Sequence, residues 1–505
     1  MDYIIIFFIA LFLIPKTITF FSLFQQNSYK INKYAKNLKK HYLKTISTYL
    51  EYLASSILLI YIFYKEWYIA VLSVFFLLGA YMLTENLIIY PKFTKRLMRL
   101  LITFILINLI PFIFIDNYLI ICLSELVFMP LILIFAALIN KPIESIINKY
   151  YKKQAKQKLS QIKPLIIGIT GSYGKTSTKN ILNTLINQTY YTYSTPKSYN
   201  TPMGICKSIK NMNWETEVFI TELGATTKGD ILELVELVPV KIGIITDIGP
   251  QHLESFKTIE NVLMTKLEIL QSKNIKQLVI NNDNEYLRTF DYPKNINVVR
   301  IGIEEKADLM AKNLELTNKG ISFEVYQKDE YLLKVESHLL GRHNVYNILL
   351  SMAVAKLLDI KNSEIAKNIP RIKAVDNRLS LTNIGNIQIL NDAFNSNIKG
   401  FVSAIEILKL SKNQKILITP GIVDLGGKSE ELNKEIGKHL IKDIDYIYLV
   451  ENEVALFIKD YFIEHHFRNY ELVSSFKEAY KKAVNKYSSA TILIENDLPD
   501  NYLRR

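Results

Sequence analysis

Two glycines followed by lysine and threonine make a phosphate-binding pattern. In this 505-residue chain the pattern reads Gly171-Ser172-Tyr173-Gly174-Lys175-Thr176-Ser177, between the β-rich run PLIIGIT and the helix-forming run TKNILNTLINQ. The glycines let the backbone curl so that several N–H groups face one anion, and the following helix adds its positive end. In such a loop the lysine, Lys175, reaches the β- and γ-phosphates, and the threonine hydroxyl, Thr176, ligates Mg2+. Ile169 stands where a longer phosphate loop has its first glycine, so this is the short Gly-x-x-Gly-Lys-Thr form.

Further runs follow in a fixed order: TELGATTKGDI, IGIITDIGPQHLESFKTIENVLMTKLEIL, INNDNEYL, LLGRHNVYNILLSMAVA, AVDNRLS and ILNDAFNSN. Together with GITGSYGKTSTKN they resemble, over roughly residues 160–440, the Mur ligase family, which adds amino acids or peptides to cell-wall precursors. Within it they are most similar to the branch that adds D-alanyl-D-alanine to a UDP-muramoyl tripeptide. The resemblance implies ATP-driven amide formation, in which a carboxylate becomes an acyl phosphate that an amine attacks. Such phosphoryl transfer needs metal ions and fixed cations.

The resemblance also implies roles. Glu222, a hard oxygen donor at a strand end, and His252 join Thr176 as Mg2+ ligands. Lys266 matches a lysine carbamylated in the family, a change that turns a cation into an anion able to hold a second Mg2+. Asn282 and Asp283 match the segment beside the adenine, and His343, Asn344 and Asn347 match a motif lining the nucleotide cleft. Arg378 matches the arginine that reaches the γ-phosphate, and Asp392 the acid that holds the ribose. Asn395 and Asn397 position substrate. The implied cofactors are ATP and two Mg2+ ions, and the implied catalytic set is Lys175, Lys266, His252 and Arg378.

These residues need a scaffold. From Lys163 onward, short β-rich runs (PLIIGIT, VFITELG, KIGIITDIG, KQLVINN, IQILNDA, KILITPG, DYIYLV, ATILIE) alternate with amphipathic stretches such as 428–442 and 474–487. That pattern predicts an α/β fold with mainly parallel sheets. A break near Arg378 divides a central ATP-binding domain, 151–378, from a Rossmann-like C-terminal domain, 379–505.

The first 150 residues differ in kind. Apolar stretches at 3–24, 49–64, 67–90, 100–115 and 118–139 predict a five-helix transmembrane domain. Hydrophobic residues make up 49% of the chain and mean hydropathy is +0.13, high for a wholly soluble enzyme. The net charge of +13 is concentrated here: up to Lys163 there are 19 Lys and Arg against 7 Asp and Glu, and beyond it 42 against 41. The excess is therefore read as membrane topology, and nucleic acid is excluded as a partner. Basic residues fill 25–48, 91–99 and 141–158, whereas the links at 65–66 and 116–117 carry almost none. The positive-inside rule then predicts an outside N-terminus, a multi-pass cell-membrane protein and cytoplasmic catalytic domains. Glu125 lies inside the fifth stretch, as either a headgroup contact or a packed, protonated acid. Glu85 sits near the interface as an ordinary surface acid. Two cysteines, Cys122 and Cys206, exclude a disulfide scaffold.

The family pattern is also broken in places. About 24 residues separate the fifth stretch from the phosphate-loop strand, too few for a domain binding the UDP part of a substrate. The family's Gly-Asp-Met stretch is replaced by Thr419-Pro420-Gly421-Ile422-Val423-Asp424-Leu425-Gly426, and its Lys-Gly-Ser-Arg stretch is absent from the LIENDLPDNYLRR end. The reading is an ATP-dependent carboxylate–amine ligase on a cell-envelope precursor. Its partners are the lipid bilayer, a UDP- or lipid-linked acceptor and an amine or dipeptide donor. A polyglutamate-type ligase, an ATP-driven transporter and a scaffold without activity are the alternatives; the intact Lys175, Thr176, Glu222, His252 and Lys266 oppose the last.

Overall fold

The computed structural model describes residues 2–40, 43, 46–82, 90–251, 253–394, 398–423 and 425–496. Expectations placed on Glu85, His252, Asn395, Asn397 and Asp424 lie outside the described residues. The chain forms two units, which divide at Tyr150 and Tyr151.

The first unit is helical: Asp2–Gln26, Ile31–Lys40, Ile46–Tyr64, Trp67–Met82, Lys95–Leu109, Pro111–Phe114 and the start of Tyr118–Ile162. Ile5, Ile9, Phe12, Phe20, Leu58, Leu77, Leu97, Leu119 and Leu133 share one core. Phe7, Phe63, Phe75 and Phe114 point outward and are exposed. Helices apolar on both faces suit a lipid surrounding. Among the described residues, three helical stretches are long and apolar enough to cross a membrane: 2–26, 95–114 and 118–162. They coincide with three of the expected five. Of the expected 67–90 stretch the described part is the apolar helix Trp67–Met82, and 83–89 lie outside the described residues; the 49–64 stretch lies in the helix Ile46–Tyr64, which carries Ser47, Thr48, Glu51, Ser55 and Ser56. The last helix runs 45 residues to Ile162, so the interval before the phosphate-loop strand is helix rather than linker.

Charges are buried in this unit. Lys16 pairs with Glu51, donates to the Leu126 carbonyl at 2.9 Å, and lies 5.6 and 5.8 Å from the rings of Phe12 and Phe20. Arg99 meets Glu144 at 2.5 Å and Arg96 meets it at 3.6 Å, with the Arg96 guanidinium 4.1 Å from the Tyr29 ring. Glu125 is half-buried.

The second unit holds two sheets. The larger is built from β1 (Leu165–Thr170), β2 (Thr192–Ser194), β3 (Val218–Glu222), β4 (Ile242–Ile245), β5 (Gln277–Asn281), β6 (Asn297–Gly302), β7 (Leu309–Thr317), β8 (Gly320–Gln327) and β9 (Glu330–Ser337). Their order is β2-β3-β1-β4-β5-β6-β7-β8-β9. Pairing is parallel from β2 to β7 and antiparallel through β8 and β9. The β7–β9 meander, β2 and β6 are strands the run-by-run reading passes over, because their residues alternate polar and apolar or the runs are short. Strand alternation sends Ile167, Ile169, Ile220 and Ile244 to one face and Ile166, Phe219, Ile245 and Leu278 to the other. Helices Lys175–Ile186 and Arg342–Leu357 cover the first face; Pro202–Asn211, Asp230–Leu237 and Ile259–Leu267 cover the second.

The smaller sheet contains β10 (Ser380–Ile384), β11 (Ile387–Asp392), β12 (Gln414–Thr419), β13 (Tyr446–Val450), β14 (Tyr470–Val473) and β15 (Ala490–Glu495), ordered β10-β11-β15-β12-β13-β14. Only β10 and β11 pair antiparallel. The expected amphipathic stretches are the helices Ser429–Asp443 and Phe476–Lys486. The α/β class with parallel sheets is as expected. Open parallel sheets bind ligands beyond the carboxyl ends of their strands. Those ends carry Thr170, Glu222, Asn281 and Asp392.

Candidate active site

The phosphate loop joins β1 to the helix Lys175–Ile186, and its two glycines are required by space and by conformation. Gly171 has φ +139°, and a Cβ there would stand 2.1 Å from Thr246 Oγ1. Gly174 has φ +78°, and its Cβ would stand 2.6 Å from Asn347 Oδ1. Any other residue would be strained and would clash. The chain after β4 braces the loop: Ser172 N donates to Asp247 O at 2.8 Å, Ser172 Oγ to Gly249 O at 3.1 Å, and Tyr173 OH to Pro250 O at 2.8 Å. Lys175 Nζ donates to Gly171 O at 2.6 Å and Ser172 O at 3.2 Å. Burial lowers its pKa to about 8; Glu222 opposes the shift and Arg378 adds to it. Ser177 is half-buried in the first turn of the helix.

Thr176 and Glu222 meet because β3 lies beside β1, with Glu222 in register with Ile169. Thr176 Oγ1 donates to Glu222 Oε2 at 3.1 Å, and Arg378 Nη2 donates to Thr176 Oγ1 at 3.2 Å. Sequence reasoning missed the closest cation. Lys179 Nζ lies 2.8 Å from Glu222 Oε1, with both side chains almost fully buried. The signal was present in GKTSTK, since residues three apart share a helix face. Asp247 was also missed. It accepts from Asn284 Nδ2 and from Ile248 N at 3.0 Å, and Lys399 Nζ approaches it at 3.5 Å. Burial raises its pKa, opposed mainly by Lys399.

Lys266 ends the helix Ile259–Leu267 and is 1% exposed. Burial lowers its pKa to about 7; Lys175 adds to the shift, and Asp230 and Glu268 oppose it. The Glu268 carboxylate accepts from Gly229 N at 2.7 Å and Leu232 N at 3.1 Å, capping the neighbouring helix. No cluster of three His, Cys, Asp or Glu suited to a metal occurs among the described residues. The oxygen pair of Thr176 and Glu222 nevertheless fits Mg2+, a hard cation that takes few protein ligands together with substrate phosphates. Glu222 Oε1 accepts no hydrogen bond of good geometry although it is buried.

The expected nucleotide residues divide into two groups. Asn347 touches the loop through Gly174 and accepts from Thr178 Oγ1 at 3.1 Å, while its Nδ2 donates to Asn344 Oδ1 at 3.0 Å. Asn344 donates to Leu340 O at 2.7 Å. Asn282 Nδ2 donates to Lys306 O at 2.8 Å, leaving a buried Oδ1 without a hydrogen bond. Asp283 is engaged within the protein: it accepts from Ile303 N, Glu304 N, Glu305 N and Tyr346 OH at 2.8–3.1 Å. It shapes the turn after β6. His343 Nδ1 lies 3.4 Å from Ser403 Oγ, and burial, helped by Arg378, lowers its pKa to about 4. Arg378 lies 4.4 Å from the Phe394 ring. Asp392 accepts from Leu379 N at 3.0 Å, and burial raises its pKa against the pull of Leu379 N and Arg378.

A phosphate loop, an oxygen pair suited to a divalent cation and an arginine brought in from beside the second sheet together make an arrangement of the kind that phosphoryl transfer from a nucleotide needs. Residues 169–355 match the Mur ligase middle domain. Over that stretch the chain is similar to the Mur ligase family, whose members are ATP-dependent amide ligases. It is 27% identical, over 66% of its length and 73% of the relative, to the UDP-N-acetylmuramoyl-tripeptide–D-alanyl-D-alanine ligase of Buchnera aphidicola subsp. Baizongia pistaciae. It is 26% identical to the Bacillus subtilis enzyme of that name, over 64% of this chain and 72% of that one. The crystal structure of MurF ligase from Thermotoga maritima in complex with ADP matches 69% of this chain and 80% of its own, with TM-score 0.63 and 25% identity.

Proposed function

We propose that this chain is a membrane-anchored, ATP- and Mg2+-dependent ligase that extends a muramyl-peptide-type acceptor with D-alanyl-D-alanine or a similar amine at the cytoplasmic face. The observation carrying this reading is the convergence of the phosphate loop, Glu222, Lys266 and Arg378. Residues 151–378 form the ATP-binding domain and 379–505 the closing Rossmann-like domain. Lys175 and the loop N–H groups hold the β- and γ-phosphates, and Arg378 faces the γ-phosphate as it passes to the acceptor carboxylate. The amine then attacks the acyl phosphate and inorganic phosphate leaves. Glu222, Thr176 and His252 would hold Mg2+, and a carbamylated Lys266 would hold a second ion; bound there, the ions would supply charge neutralisation for the transfer. A lysine pKa near 7 favours carbamylation, since the neutral Nζ attacks CO2 and sheds a proton. Closure of the C-terminal domain excludes water from the acyl phosphate.

Purified protein given ATP, a UDP-muramoyl tripeptide and D-alanyl-D-alanine should release ADP and a ligated product readable by mass spectrometry. ADP release that no muramyl-peptide acceptor stimulates would remove the reading. Reporter fusions after Asn117 should read outside and after Lys158 inside.

A lipid-linked acceptor is a second reading, favoured by the basic group at 92–99. Arg96 and Arg99 share Glu144, while Lys92 and Lys95 stand exposed. Cations at a membrane boundary attract anionic headgroups. A faster reaction with lipid-linked than with UDP-linked acceptor would select it.

A further inference from the structure

We propose that Lys179 sets the cation preference of the site, favouring Mg2+ over Ca2+ by reserving one oxygen of Glu222. This rests on reading Glu222 and Thr176 as the metal donors. Thr176 and Lys179 lie three apart on the helix Lys175–Ile186 and approach Glu222 from one face. Thr176 Oγ1 stands 3.1 Å from Oε2, and Lys179 Nζ stands 2.8 Å from Oε1. Lys179 has no room to swing aside. It is 1% exposed, and its ammonium also donates to Thr195 O at 2.6 Å and to Lys197 O. The ammonium is therefore tied to two carbonyl oxygens in the segment after β2 and held as an ion pair against Glu222 Oε1.

Glu222, itself 1% exposed, is left with Oε2 to offer a metal. Mg2+ demands a near-octahedral shell and commonly takes a carboxylate through one oxygen. Ca2+ takes six to eight oxygens and readily accepts both oxygens of one carboxylate. A carboxylate with one oxygen held by an immobile ammonium withholds the bidentate ligand that Ca2+ favours. Lys179 is thus a positioning residue that acts through Glu222, in contrast to Lys175, which faces the phosphates in the proposed reaction.

The test uses full-length protein in detergent with a non-hydrolysable ATP analogue, following bound Mn2+ by electron paramagnetic resonance while Mg2+ or Ca2+ displaces it. Wild type should release Mn2+ to Mg2+ more readily than to Ca2+. Lys179→Met frees Oε1 and should shift the Ca2+-to-Mg2+ ratio at least tenfold toward Ca2+. Lys179→Arg, which keeps a cation on Oε1, should restore the wild-type order. Should the Met variant fail to fold, Lys179→Leu carries the same measurement, because it too is neutral and leaves no donor for Oε1. Mn2+ binding at wild-type strength with an unchanged ratio in the neutral variant overturns the proposal. Mn2+ binding equal in wild type and Glu222→Gln overturns the metal role of Glu222 itself, and the proposal with it. The two failures are therefore told apart.

Discussion

Each unit of this protein buries a lysine against a glutamate, and the two pairs have opposite surroundings. Lys16 and Glu51 sit among apolar helices, flanked by the Phe12 and Phe20 rings, with the Leu126 carbonyl as a further acceptor. That pair joins three helices. Lys179 and Glu222 sit at the carboxyl edge of a sheet, beside a hydroxyl, an arginine and a phosphate loop. There the pair leaves one carboxylate oxygen turned toward Thr176. A buried ion pair is thus no functional signal in itself; what lies next to it decides. Desolvation makes both pairs costly to break, because a lone buried charge has no compensation.

The comparison is broken most severely at the phosphate loop. Lys175→Ala should lower turnover by roughly 10²–10³-fold, the usual effect of losing one contact that matters most in the transition state. Its thermal unfolding should stay near wild type. ATP consumption at the wild-type rate would separate this loop from the chemistry.

A second break targets the helical pair. Glu51→Leu alone should destabilise the first unit by about 3–5 kcal/mol, whereas Lys16→Met combined with Glu51→Leu should recover most of the loss. Unfolding in detergent measures both. In the catalytic unit the corresponding double replacement of Lys179 and Glu222 should recover stability without activity. A double variant at 16 and 51 as unstable as the single one would show that the lysine is held by something other than its glutamate.

Lys266→Ala should abolish ligation and regain part of it with short carboxylic acids, which replace the missing anion. Activity near wild type without additive would rule out a carbamate role.

The smallest effect sharpens the contrast through pH. Lys266 falls from 10.5 to about 7 on folding, so between those values the unfolded chain binds more protons and stability rises with pH. The penalty is greatest below pH 7 and fades toward 10.5. In bicarbonate-free buffer the stability gain of Lys266→Met over wild type should therefore shrink between pH 7 and pH 10. A constant difference would place the amine in a more polar setting.

Much of this was readable in the chain. The phosphate loop announced itself because two glycines, a lysine and a threonine are constrained by local geometry, and a strand run before with a helix run after fix their orientation. Most strands of the parallel parts of both sheets were legible as apolar runs, since burial on both faces removes polar alternation, but β2, β6 and β14 were not. The β7–β9 meander was not, because its one-sided burial mixes charged residues such as Lys312, Glu324 and Lys334 into the strands.

Sequence by itself determined most of the elements, the resemblance to the Mur ligase family and the order in which site residues arrive. Tertiary structure decided which of them meet. Asp283, read as a neighbour of the nucleotide, has both oxygens engaged by the 303–305 turn and Tyr346. Lys179, which the motif reading passes over, holds the carboxylate of Glu222. Lys16, in an apolar run, has its partner 35 residues away. Spacing along a chain specifies faces and turns through fixed local geometry. Contact across strands and helices depends on packing, which brings together residues that the chain keeps far apart.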